Sequence, residues 1–122
     1  MNRERTVEDY LRDIAEYAEK AMRFLADVPS VADLADDERT LLAVIRTLEV
    51  IGEAAKQIPN EFRARYGDVA WRGMTGMRDK VIHQYFGVNI EVVWRTVHED
   101  FPPLREAILR ILSGMTSIER DM

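Results

Sequence analysis

The sequence predicts an all-α protein, an antiparallel bundle of four to six helices. Apolar residues recur at three- and four-residue steps through most of the chain, the signature of helices with one buried face. Capping residues and prolines fall where those stripes begin and end, and no segment alternates apolar and polar residues as a strand would. The 122 residues suffice for one core, and a single domain over 1–122 is expected.

Thr6 caps the first stripe, with Asp9 in the capping-box position. Val7, Leu11, Ile14, Ala18, Ala21 and Leu25 predict a helix over about residues 7–27, which Pro29 ends. Residues 29–36 read as a short connection. Asp36 or Asp37 caps a second helix, whose stripe of Val44, Ile45, Leu48, Ile51 and Ala55 runs to about Gln57 before Pro59. Gly52 sits inside this helix at a cost of about 1 kcal/mol relative to alanine, which points to a close neighbour. Glu53 follows it and is a candidate to face the same neighbour.

Asn60 is expected to cap a short helix from Glu61 to about Tyr66, with Gly67 ending it. Trp71 opens the next segment, where Gly73 and Gly76 weaken the first turn. A well-formed helix is expected only from near Met77. After Gly87, Asn89 caps a stripe from Ile90 to Leu112 that keeps its phase across Pro102 and Pro103. A kinked helix, or two nearly in line with Asp100 capping the second, is the expectation. The tail after Ser113 reads as frayed.

The net charge of −5 argues against a general, charge-driven nucleic-acid binder. Between Glu61 and His83, however, Arg63, Arg65, Arg72, Arg78 and Lys80 outnumber the acids. With no cysteine there is no disulfide framework and no thiolate metal site. No apolar run approaches the roughly 18 residues of a membrane span, and no apolar signal segment opens the sequence, so a cytoplasmic protein is expected. Phosphate-loop and dinucleotide fingerprints are missing, as is the Glu-x-x-His pairing of di-iron bundles. The expectation is chemistry with no cofactor and no metal.

The stretch Met74-Thr-Gly-Met-Arg-Asp-Lys-Val-Ile-His-Gln-Tyr-Phe86 holds one of the 2 histidines. On an ideal helix Met74, Val81, Ile82 and Tyr85 fall within about 60° of Arg78, which puts a cation inside an apolar stripe. Such a charge must pair with an acid such as Glu53, point into a subunit interface, or await an anionic ligand. Asp79 and His83 lie about 40° apart, in reach of one another, and a carboxylate beside an imidazole suits a proton shuttle. Arg78 and His83 lie about 140° apart, which favours a site completed by a second copy across a two-fold dimer. Tyr85 on these grounds alone is a core tyrosine.

Arg78-Asp79-Lys80-Val81-Ile82-His83-Gln84-Tyr85 resembles the Arg-x4-His-x-Tyr motif of the HepT-like toxins, a branch of the HEPN superfamily. Ile51-Gly52-Glu53-Ala54-Ala55, Trp71-Arg72, Gly76-Met77, Tyr85-Phe86-Gly87, Val93-Trp94 and Asp100-Phe101-Pro102-Pro103-Leu104 fit the same resemblance, which covers about residues 6–112. It implies a homodimeric, metal-independent endoribonuclease with Arg78 and His83 in the catalytic positions and Asp79 assisting. Lys80 and Glu53 are supporting candidates. It further implies a minimal nucleotidyltransferase antitoxin as partner, RNA as substrate, and silencing by AMP transfer to Tyr85. The competing expectation is a non-catalytic helical module that binds a nucleotide or regulates such a nucleotidyltransferase.

Overall fold

The computed structural model describes residues 4–83 and 89–122; the side chains of residues 78–83 lie outside that description. Every regular element among the described residues is helical. α1 spans Val7–Leu25, α2 Val31–Ala35, α3 Glu38–Lys56, α4 Asn60–Arg65 and α5 Trp71–His83. α6 spans Ile90–Arg95 and α7 Phe101–Gly114, joined by a π-helical turn at Thr96–Asp100, and α8 is Ser117–Arg120.

The expected capping box opens α1: the Asp9 N–H donates to the Thr6 hydroxyl at 3.3 Å and the Thr6 N–H to the Asp9 carboxylate at 2.9 Å. Leu11, Ile14, Ala18 and Leu25 are buried to within a per cent. The helix closes at Leu25 rather than near residue 27, because the Ala26 and Val28 N–H groups tighten onto Arg23 and Leu25. The connection that follows is not irregular. Ser30 accepts from the Asp33 N–H at 3.2 Å and caps α2, whose Leu34 is fully buried. One large apolar side chain thus anchors a helix too short to announce itself by periodicity.

Asp37 caps α3 by accepting from the Thr40 N–H at 3.1 Å. At its far end the Arg63 guanidinium donates to the carbonyls of Ala55, at 2.6 Å, and Ile58, at 3.0 Å. A cation on terminal carbonyls complements the helix dipole. Asn60 is the first residue of α4 and not its cap; the cap position belongs to Pro59, which makes no side-chain bond there.

α6, the π turn and α7 form one continuous helix. Pro102 and Pro103 bring no N–H and crowd the carbonyls one turn earlier. The chain answers by widening: the Phe101 N–H reaches back five residues to Thr96 O. That extra residue keeps Val93, Val97, Phe101 and Ile108 all in the core. Asp100 makes no side-chain cap, since the backbone is helical through it. The tail is also ordered. Thr116 and Glu119 form a second capping box around α8, and Arg120 donates to Glu8 at 2.8 Å and to Leu112 O at 3.0 Å.

The long helices make an all-α bundle. α5 packs on α3, α3 on α1, and α1 on α7. Three seams are thereby closed around Leu11, Ile14, Ile51, Phe62 and Phe101, each burial contributing about 1.5–3 kcal/mol. The fourth seam, between α5 and the α6–α7 helix, holds a groove.

Candidate functional site

The candidate motif rides on α5, so the start of that helix sets its register. After α4 the chain turns through Gly67–Ala70. The Val69 N–H donates to Tyr66 O at 3.1 Å, and the Trp71 indole N–H to the same carbonyl at 3.0 Å. The helix begins at Trp71, six residues before the expected point. The two glycines cost about 1 kcal/mol each. Burying Trp71 (6% exposed) and Met74 (2%) returns about 1.5–3 kcal/mol each, so packing wins over propensity.

The backbone at Arg78, Asp79, Lys80 and His83 is helical. Position 78 follows the buried Met74 by one turn of the helix. Asp79 and His83 are likewise one turn apart, and about 140° separates Arg78 from His83 along the regular helix. Their side-chain contacts, and Tyr85 itself, lie outside the described residues. Glu53 is exposed on α3, beside the buried Gly52. The suggested Arg78–Glu53 pairing falls outside the described side chains.

The local cations divide by role. Arg63 is committed to the end of α3, and Arg65 pairs with Glu61 at 3.2 Å and Glu119 at 3.4 Å. Arg72 is exposed and lines the groove. Among the described side chains, Arg63, Arg65 and Arg72 therefore do not add up to one basic patch.

The groove encloses about 770 Å³. Gly73, Met74, Gly76 and Met77 of α5 form one wall; Val92, Thr96 and Asp100, with Phe101, Leu104 and Ala107, form the other. Asp68 and Arg72 stand at the α5 entrance. A Cβ at Gly76 would meet nothing within 4 Å, and one at Gly73 would only touch the Ala70 Cβ at 3.8 Å. The Thr96 hydroxyl donates to Val92 O at 2.7 Å, which leaves its oxygen with acceptor capacity only. Sequence reasoning missed Asp68, Thr96 and Asp100. Only their convergence on one seam singles them out, and Asp100 looked like a cap because the π turn is invisible in the pattern.

Behind α5, Glu119 is buried (4% exposed) and accepts from the Tyr66 hydroxyl at 2.9 Å. The Thr116 backbone N–H, then the Tyr66 and Arg65 donors, hold its carboxyl below the ordinary glutamate value against the opposing effect of burial. Burial, reinforced by the Glu119 charge, pushes the Tyr66 phenol up. The second histidine, His98, lies at the surface with its ring 4.3 Å from that of Trp94. Among the described residues, no group of three or more His, Asp or Glu side chains is placed to hold a metal ion, and no helix is long and apolar enough to cross a membrane.

The all-α bundle is that of a HEPN-like helical domain. A family profile described as Ribonuclease HepT-like matches residues 8–111. The chain belongs to the HepT-like ribonuclease family. It is 48% identical over 101 residues to "Probable ribonuclease HepT" of Thermococcus cleftensis, covering 83% of this chain and 91% of that one. It is 38% identical over 108 residues to a protein of Caldanaerobacter subterraneus named as a candidate RNase, covering 88% and 96%. A third relative, from Methanocaldococcus jannaschii, is named as both a gamma-glutamylcyclotransferase and a candidate RNase. The chain is 38% identical to it over 109 residues, which cover 89% of this chain but 42% of the relative. No solved structure matches the chain.

Proposed function

We propose that this chain is a metal-independent endoribonuclease, acting as a homodimer in the cytoplasm, and the toxin of a pair whose antitoxin is a minimal nucleotidyltransferase. The observation that carries the reading is the family match over residues 8–111, with Arg78, Asp79 and His83 inside it on α5. His83 takes the proton from a ribose 2′-OH, whose oxygen attacks the adjacent phosphorus. The bond to the 5′ oxygen breaks, and that oxygen takes a proton from the second His83 of the dimer. A 2′,3′-cyclic phosphate and a 5′-hydroxyl result, with no atom unaccounted for. General acid–base help of this kind contributes about 10²–10⁴-fold. Arg78 binds the phosphate and stabilises the charge that gathers on its oxygens. Asp79 orients His83; Lys80 and Glu53 serve as supporting groups.

AMP transferred to Tyr85 by the partner adds bulk and negative charge two residues from His83 and blocks RNA. The test is cleavage of a single-stranded RNA by the purified protein, with and without EDTA. Cleavage is expected to persist in chelator and to vanish in His83→Ala and Arg78→Ala. Cleavage lost on chelation would falsify the metal-free mechanism. Co-expression with the adjacent nucleotidyltransferase is expected to add AMP mass to the wild type and not to Tyr85→Phe.

A further inference from the structure

The groove between α5 and the α6–α7 helix is not used by the proposed chemistry, yet it opens along the helix that carries the motif. Its volume, about 770 Å³, falls in the range of sites for small organic ligands, roughly 300–1,000 Å³. Its walls are mostly apolar, with Met74, Met77 and Leu104 available to cover the faces of a flat ring. Gly76 leaves one wall open down to the backbone. Among the described residues, the polar groups on it are unbalanced in kind. Asp68 and Asp100 carry only acceptors when ionised, and the Thr96 hydroxyl has already given its hydrogen to Val92 O. The one cation on the groove, among the described residues, is Arg72 at its entrance.

We infer that this groove is a base-binding subsite for RNA and that it takes guanine. A planar apolar ring matches the walls, and the entrance arginine matches a phosphate. Hydrogen-bond polarity then chooses among the bases. Guanine presents two adjacent donors, N1–H and an N2 hydrogen, which one carboxylate accepts together. Adenine and cytosine set an unprotonated ring nitrogen beside their amino group, and that lone pair repels a carboxylate. Uracil flanks its single N–H with two carbonyls. Gly76 and His83 are about 10 Å apart along the helix axis, a span that neighbouring nucleotides of a single strand cover. The inference rests on the ribonuclease reading for its biological sense, and its test does not need cleavage.

The test is equilibrium binding of GMP, AMP, CMP and UMP to the intact protein by calorimetry. GMP is expected to bind about tenfold or more tightly than the others, the discrimination of one good bidentate contact. Asp100→Ala, which removes a carboxylate with no capping role, is expected to erase that preference. Gly76→Leu, which fills open space, is expected to abolish binding of all four while the protein stays folded by circular dichroism. Equal binding of the four nucleotides, or GMP binding untouched by Gly76→Leu, overturns the inference. So does a change of oligomeric state in Gly76→Leu by light scattering, which would make the groove a protein interface. RNA cleavage without GMP preference sinks this subsite and leaves the enzyme; GMP selectivity without cleavage sinks the enzyme and leaves the subsite.

Discussion

The hydroxyl of Tyr66 donates a 2.9 Å hydrogen bond to the buried carboxylate of Glu119, 53 positions away. The backbone carbonyl of the same tyrosine accepts from the Trp71 indole that starts α5. One residue therefore ties the C-terminal helix to the turn that sets the register of the motif. Tyr66→Phe keeps the ring and removes the donor, leaving a buried carboxylate short of a partner. The expected cost is about 1–3 kcal/mol, read as a lower midpoint in urea with an unchanged slope. A double-mutant cycle with Glu119→Gln assigns the loss to the pair; additive effects would deny that the bond matters.

The same carboxylate makes stability fall in acid. Glu119 is held below its ordinary value of 4.5 in the folded chain, chiefly by the Thr116 N–H. A depressed folded value means the unfolded state binds the proton first. Its contribution is complete above the unfolded value and drains away as pH falls through the folded one. Glu8, lowered by Arg12 and Arg120, adds to the same limb. Urea unfolding from pH 7 down to pH 3 is expected to show a steep loss below about pH 4.5, shallower in Glu119→Gln. Superimposable acid limbs would remove Glu119 as a cause.

Much of this fold was legible because long apolar stripes leave little choice. Leu11, Ile14 and Ala18 of α1, and Val44, Leu48 and Ile51 of α3, are buried as their spacing required. What escaped was decided by single side chains or by distant ones. Leu34 makes a helix of five residues worthwhile, and Trp71 overrides two glycines. Glu119 holds a tail that looked frayed, through a tyrosine no local pattern links to it. The π turn answers two prolines and the core phase at once, which no window of sequence displays. Arg78, Asp79, His83 and Tyr85 stand in order as a motif in the sequence, and their side chains lie outside the described residues. The groove was not, because it joins Asp68 to Asp100 across the fold.

Gly76 gives a prediction of unusual sign. It lies inside α5, where glycine costs conformational entropy, and a Cβ there meets nothing within 4 Å. Gly76→Ala should therefore stabilise the protein, by about 0.5–1 kcal/mol. A thermal midpoint raised by a few degrees would agree. A lowered midpoint, especially one that varies with protein concentration, would mean that another chain's surface lies against this glycine.

The division of labour between Asp79 and His83 is open to a kinetic test. They stand one turn apart on α5, the spacing at which side chains on a helix meet. If Asp79 orients His83 and favours its charged form, removing the charge should change how catalysis depends on pH as well as how fast it runs. His83→Ala should lose RNA cleavage by about 10²–10⁴-fold at every pH. Asp79→Asn should retain part of the rate, and the ascending limb of its profile should move to lower pH, because an imidazole without its carboxylate sheds its proton more readily. The Arg78→Lys variant should be impaired with the limb in place, since lysine keeps the charge but loses the two-pronged phosphate contact. An Asp79→Asn profile that is merely lower, with its limb unmoved, would assign Asp79 to the helix surface and leave His83 to act without it.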